Sequence, residues 1–334
     1  MTGLVDLHLH LPGTVRAETF AELASASAVS LPLPAPELYT RINSDPTESE
    51  LSQGPWFPLL RVYEMISLSL RTRDHFSRVV FEALEDAKTQ SNAVYVELAF
   101  SPSEHMKAGV PYAEIRAGIE DGFARARGEL NVDGRAIAAV NREDSPQIAR
   151  EMVATVAADP SESIPAIGLD FYELGGMPEK FVDAFRLAKS AGLGRTAHAG
   201  EHAPTAETVQ TALDALGCDR IDHGYQILRD PRIVDRCAQD GIIFNVAFTT
   251  SRRALIPWRR ESIAAMVDAG LRVTINSDDP SLFPTTLARE FAIADEVLGA
   301  DRRPWLLDNA VDASFLPADQ RTKLRAVLKA PAHE

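Results

Sequence analysis

Asp6-Leu7-His8-Leu9-His10 sets two imidazoles two residues apart in an apolar stretch near the start of the chain. Successive side chains of an extended strand point to opposite faces, so His8 and His10 share one face, close to the strand's end. With Leu4 and Val5 in front, the stretch reads as a strand over Leu4–Leu9. Further β-rich runs follow at Ala93–Ala99, Arg135–Val140, Ala166–Phe171, Gly194–Ala197, Arg220–Asp222, Ile242–Val246 and Arg272–Asn276. Longer helical patterns separate them. Glu114–Arg127 and Phe181–Ala191 are amphipathic. Thr205–Leu216 opens on a capping threonine and stops at Gly217. Asp230-Pro231 reads as an N-cap followed by proline at the first helical position. Such regular strand–helix alternation predicts an α/β fold, a (β/α)8 TIM-type barrel with parallel strands.

The 334 residues are expected to form one barrel domain, 1–334. One interval breaks the rhythm. Residues 11–92 separate the first two strands by more than a normal crossover. They carry Pro32, Pro34, Pro36, Pro55 and Pro58, then a helical pattern from Phe57 to Lys88. This predicts a helical lid inserted beside the barrel mouth. The formal net charge of -14 argues against nucleic-acid and anionic-membrane partners, which need clustered Lys and Arg. Cys218 and Cys237 form no CxxC pair and cannot staple a chain of this length. No apolar run reaches membrane-span length, and Met1-Thr2-Gly3 lacks a basic segment with an apolar stretch behind it. The chain is therefore expected to be cytoplasmic and is compatible with assembly into a homo-oligomer.

His-x-His alone is a weak pattern; position sharpens it. His198 ends the fifth predicted strand in Thr196-Ala197-His198-Ala199-Gly200-Glu201. His223 ends the sixth, and Asp278-Asp279 follow the eighth. Barrel enzymes assemble their sites at this carboxyl face from several strand ends. Three imidazoles and a carboxylate, from His8, His10, His198 and Asp278, suit one Zn²⁺ with water as a further ligand. The metal would lower the pKa of that water. His223 is then free to act as base or to orient the nucleophile, with Asp278 also touching it. Glu201 could pass a proton to a ring nitrogen; its plain alternative is a carboxylate in a helix's first turn. The plain alternative for Asp279 is an Asp-Pro turn with Pro280. Dinuclear metal barrels place a bridging lysine at the end of the fourth strand. Ile167-Gly168-Leu169-Asp170-Phe171 has none, which favours one metal per chain.

These segments resemble the adenosine deaminase family of the amidohydrolase superfamily, from His8 to about Leu287. The resemblance rests on Asp6–Leu11, Tyr95–Pro102, His198-Ala199-Gly200-Glu201, Asp222-His223-Gly224-Tyr225 and Asn276–Pro280. It implies zinc on His8, His10, His198 and Asp278, and Glu201 protonating the purine nitrogen beside the reacting carbon. His223 would activate water, and Asp279 would bind the imidazole part of the ring. Ammonia and an oxo-purine would be the products.

Recognition residues depart from the family. Pro12, in Leu11-Pro12-Gly13-Thr14, stands where adenosine deaminases carry an acid that touches ribose and adenine-specific relatives often carry a glutamate. After the fourth strand the family has a glycine whose backbone approaches the purine; here Glu173, or Gly175 with a shift, would take that place. The seventh strand ends Val246-Ala247-Phe248-Thr249-Thr250-Ser251 instead of in a Cys-Pro-x-Ser-Asn run. The expected substrate is a 6-aminopurine base or nucleoside. Another aminated heterocycle or a cyclic amide is the alternative, and a non-catalytic ligand-binding protein is the third reading. Trp56, Phe57, Tyr63 and Met65 could cover a planar ring, although packing of lid on barrel explains them as well. Arg252, Arg253, Arg259 and Arg260 read as a solvated basic face.

Overall fold

The computed structural model describes residues 3–44, 57–249 and 255–330. Its strands are β1 Leu4–His10, β2 Ala93–Phe100, β3 Asp133–Asn141, β4 Ala166–Asp170, β5 Gly194–Arg195, β6 His198–Ala199, β7 Ile221–His223, β8 Ile243–Val246 and β9 Arg272–Ile275. All pair in parallel, in the orders β1-β2-β3-β4-β5 and β6-β7-β8-β9. β5 and β6 are halves of one barrel strand. Between them Thr196 N–H donates to Ile167 O at 3.0 Å, and Ala197 O accepts from Asp222 N–H at 2.9 Å. Across the other seam, His10 N–H donates to Asp278 O at 3.1 Å and Asp278 N–H to His8 O at 3.0 Å. Leu7 N–H donates to the Asn276 side chain at 2.9 Å. The ladder thus closes into the predicted (β/α)8 barrel. Every residue of β1 is buried, as a strand covered on both faces requires.

The predicted helix over Phe57–Lys88 is two helices, Phe57–Ser69 and Arg73–Ser91. Thr72 makes the break: its hydroxyl caps the second helix by accepting from His75 N–H at 3.3 Å. Arg73–Ser91 lies on β2 and against the helix Tyr112–Leu130. That approach requires glycine. A Cβ on Gly118 would stand 2.4 Å from Arg73 O, and one on Gly122 would stand 2.6 Å from Val80 Cβ. Arg73–Ser91 therefore belongs to the ring of helices around the barrel, which shortens the insertion expected over 11–92. Its described remainder is the helices Ala17–Ala26, Ala35–Ile42 and Phe57–Ser69, which pack on one another. The prolines at 55 and 58 lie outside the described backbone or side chains. Among the described residues no helix is long and apolar enough to cross a membrane.

Candidate active site

The seam that closes the barrel also builds the site. Because its backbone pairs with β1, Asp278 is carried beside His8 and His10. The β6–β7 register sets His198 opposite Asp222 and Ala199 opposite His223. As a result the rings of His8, His10, His198 and His223 cluster. Centroids lie 4.9 Å apart for His8–His10, 4.7 Å for His8–His198 and 4.8 Å for His198–His223. Phe171, His223 and Asp278 hold left-handed φ values of 70°, 70° and 62° just where their strands end. Non-glycine residues in that region cost on the order of 1 kcal/mol or more, so the surrounding pairing must hold them there.

His8 is oriented by a carboxylate behind its ring. His8 Nδ1 is 3.2 Å from Asp222 Oδ1, which turns Nε2 toward Asp278 Oδ1 at 3.4 Å. Asp222 is itself held by the Thr196 hydroxyl at 2.7 Å and the Asn245 amide at 2.8 Å. A carboxylate behind an imidazole is the arrangement that fixes a metal-binding histidine. His10 Nδ1 lies 3.1 Å from Asp278 Oδ1 and 3.3 Å from Asp279 Oδ1, and its Nε2 lies 3.4 Å from Asp170 Oδ1. Ligand atoms of His8, His10 and His198 lie within 4.8 Å of one another; so do those of His8, His223 and Asp278, and of His10, Asp278 and Asp279.

The donor set fits a divalent cation. Among the described residues, His8 Nε2 and both ring nitrogens of His10 are buried without a hydrogen-bond partner. Burial works to lower the pKa of His8, yet the carboxylates of Asp222 and Asp278 outweigh it and carry it up to about 10. The cluster thus calls for positive charge among its carboxylates, which a divalent metal supplies.

Glu201 and His223 stand beside this centre. His223 Nε2 is 3.5 Å from Glu201 Oε2, and its Nδ1 is 3.2 Å from the Tyr225 hydroxyl. Burial holds His223 well below the ordinary imidazole value against the pull of Glu201. For Glu201, burial works upward, but His202, His223 and Arg259 outweigh it and hold the group well below the usual carboxylate range.

Glu173 and Gly175, expected at the floor of a substrate pocket, are elsewhere. The chain turns sharply at Phe171, so Phe171 and Tyr172 take the cavity wall and Glu173 passes behind it. The Glu173 carboxylate accepts from the backbone N–H groups of Gly200 at 2.7 Å, Glu201 at 3.0 Å, His202 at 2.6 Å and Ala203 at 2.8 Å. It fixes the loop that presents Glu201. Gly175 faces the Glu143 side chain. Buried Arg142 complements this clamp by donating to the carbonyls of Asp170, Glu173, Gly176 and His198. An acid for amides and a base for carbonyls thus satisfy two irregular loops that would otherwise bury unpaired backbone.

Asp279 sits in the expected turn and also reaches the cavity. Its backbone carbonyl accepts from Leu282 and Phe283, as in a turn, while its side chain lines the cavity. Gly13 makes room for it: a Cβ there would fall 1.9 Å from Asp279 Oδ1. The cavity has a volume of about 550 Å³, its open mouth included, and Leu59, Leu60, Tyr63 and Phe283 form part of its apolar wall. Met65, by contrast, is buried in the core. Trp56, Arg252, Arg253 and the Phe57 side chain lie outside the described residues. Arg260 pairs with Glu296 at 3.1 Å near the surface. Arg259, read as part of a solvated face, is instead 2% exposed and donates to Glu201 Oε1 at 2.8 Å.

Sequence reasoning also passed over Asp170 and His202. Asp170 ends β4, the position searched only for a lysine, and the same strand-end rule that found His198 would have found it. His202 packs 5.6 Å from the Tyr172 ring and 3.1 Å from Glu201 Oε2.

A parallel barrel with an imidazole–carboxylate cluster buried at its carboxyl face defines a metal-dependent hydrolase. This chain belongs to the adenosine deaminase family, which it matches over residues 4–331. It is similar to the adenine deaminase of Streptomyces coelicolor, 31% identical over 98% of this chain and 94% of that protein. The aminodeoxyfutalosine deaminase of Acidothermus cellulolyticus is 30% identical over 97% of this chain and 90% of its own length. A crystal structure of an amidohydrolase from Burkholderia ambifaria with bound Zn superimposes with a TM-score of 0.88 at 29% identity, covering 98% of this chain and 89% of that one. The protein is a hydrolytic deaminase.

Proposed function

We propose that the protein removes the 6-amino group of a free purine base, with adenine the leading substrate, using one zinc ion per chain. The observation that carries this reading is the lining of the cavity. Asp170, Glu201, Asp278 and Asp279 supply its charge, and the outer wall is apolar. No lysine or arginine is among its described lining residues, so a phosphate would meet carboxylates instead of donors. Pro12 offers no side-chain group to a ribose hydroxyl.

His8, His10, His198 and Asp278 would hold the ion; a His-rich set with one carboxylate suits zinc, the metal bound in the Burkholderia ambifaria relative. When bound, the metal supplies Lewis acidity and makes a water nucleophilic at neutral pH. His223, its Nδ1 held by the Tyr225 hydroxyl, would orient the attacking water and accept its proton on Nε2. Glu201 faces the cavity; as a carboxylate in the free site it would take up a proton when the purine binds and pass it to the ring nitrogen beside the carbon under attack, while the proton taken up by His223 would go to the departing amino group. Asp279 Oδ1, 3.3 Å from His10 Nδ1 and making no hydrogen bond among the described residues, lines the cavity and would accept from a ring N–H. Both cysteines are buried and unpaired, which supports a cytoplasmic enzyme.

Ammonia release across adenine, N6-substituted adenines, adenosine, adenosine phosphates and aminodeoxyfutalosine tests the assignment. Adenine is expected to give the highest kcat/KM, with the phosphates about 10²-fold lower or worse. Preference for a nucleotide would overturn the free-base reading. Gly13→Ala should push the Asp279 carboxylate aside. It is expected to cost about 1–3 kcal/mol in a denaturant titration and to raise KM for the accepted purine; an unchanged KM would detach Asp279 from substrate binding.

A further inference from the structure

Arg259 sits where a cation is costly. It is 2% exposed and lies in the first turn of the helix Ile256–Asp268, next to that helix's partial positive charge. A buried guanidinium so placed loses hydration and gains nothing from the dipole. Its compensation is specific. One terminal nitrogen donates to Glu201 Oε1 at 2.8 Å, and the other donates to the Tyr225 hydroxyl at 2.9 Å. The guanidinium carbon also lies 4.6 Å from the centre of the Tyr225 ring. Tyr225 in turn contacts His223 Nδ1 at 3.2 Å and donates to Ala247 O at 3.0 Å. Arg259 therefore touches both arms of the proton-transfer pair, one directly and one through a phenol. The other groups facing Glu201 are His202 and His223, each on the Oε2 side.

We propose that Arg259 is a positioning residue for deamination, fixing Glu201 and, through Tyr225, the His223 ring in one working arrangement. The inference rests on the deaminase reading above. The planar fork is what the site uses, because two donors at a set angle meet two acceptors on different elements. An ammonium at the end of a lysine cannot reach both with that geometry.

The test compares metal-loaded wild type with Arg259→Met and Arg259→Lys. In ammonia release, Arg259→Met is expected to lower kcat about 10²-fold while KM stays within about threefold. Millimolar guanidinium should restore about tenfold of that loss in Arg259→Met and leave wild type unchanged. Arg259→Lys should remain about tenfold below wild type. Metal content and melting temperature report whether each variant is intact, and Arg259→Gln replaces Arg259→Met if the latter fails to fold. A kcat within twofold of wild type, or a loss in folded, metal-loaded protein that guanidinium does not relieve, overturns the proposal. Crystal structures of the metal-loaded proteins decide it without any substrate. The Glu201 carboxylate should leave its wild-type position in Arg259→Met, and an unmoved carboxylate would refute positioning. Wild type that deaminates no 6-aminopurine would count against the substrate assignment alone, because the crystallographic comparison still stands.

Discussion

Glu201→Gln is expected to lower kcat on the accepted purine by about 10³-fold while metal content stays near one ion per chain. Glutamine keeps the shape of the side chain, and its carbonyl can still accept from Arg259. It cannot take up and release a proton. The cavity offers no ready substitute: His223 is oriented by Tyr225 and committed to the water, and Asp279 approaches His10 from another side of the cluster. The loss should appear in kcat, because the amide still fills the same volume beside the ring. Ammonia release and metal analysis on the same preparation check the prediction. Activity within tenfold of wild type would remove Glu201 from proton transfer.

His198→Ala should act through the metal and produce the larger loss, about 10⁴-fold in kcat/KM at ordinary metal concentrations. His198 is supplied by β6, a two-residue strand whose only described ladder partner is β7, and its carbonyl is held by Arg142 at 2.6 Å. The backbone is therefore anchored independently of the imidazole, so the barrel should survive the truncation. Without the ring, the Asp170, Asp222 and Asp278 carboxylates face fewer compensating groups and no complete ligand set. Metal analysis should find well under one ion per chain, and added Zn²⁺ should restore little activity. A variant that holds a full complement of metal would show that His198 is not a ligand.

The barrel was legible because its strands are short apolar runs, ended by histidines and aspartates that cannot be placed inside the barrel without partners. The four proposed ligands could be found by counting strand ends, since a parallel barrel brings all of those ends to one face. What escaped was everything that depends on how loops fold back. Nothing local distinguishes Glu173 from a cavity residue; its role appears only once Phe171 adopts a left-handed backbone and the 200–203 loop offers its N–H groups. Arg259 reads as solvated because three other arginines lie near it in sequence, whereas its helix register points it toward Glu201 and leaves Arg260 to pair with Glu296 near the surface. The interval 11–92 reads as one insertion because nothing in its length or helical pattern marks Arg73–Ser91 as a barrel helix; its packing on β2 and on Tyr112–Leu130 does. Contacts that depend on one partner's side chain reaching another element leave no periodic trace in the sequence.

Anomalous diffraction at the metal edge, on crystals of protein purified without chelator, addresses the core of this account. It should reveal one peak per chain, within bonding distance of His8, His10, His198 and Asp278, with Glu201 and His223 beside it and not bonded to it. Two peaks, or one peak bound to a different set of side chains, would contradict it.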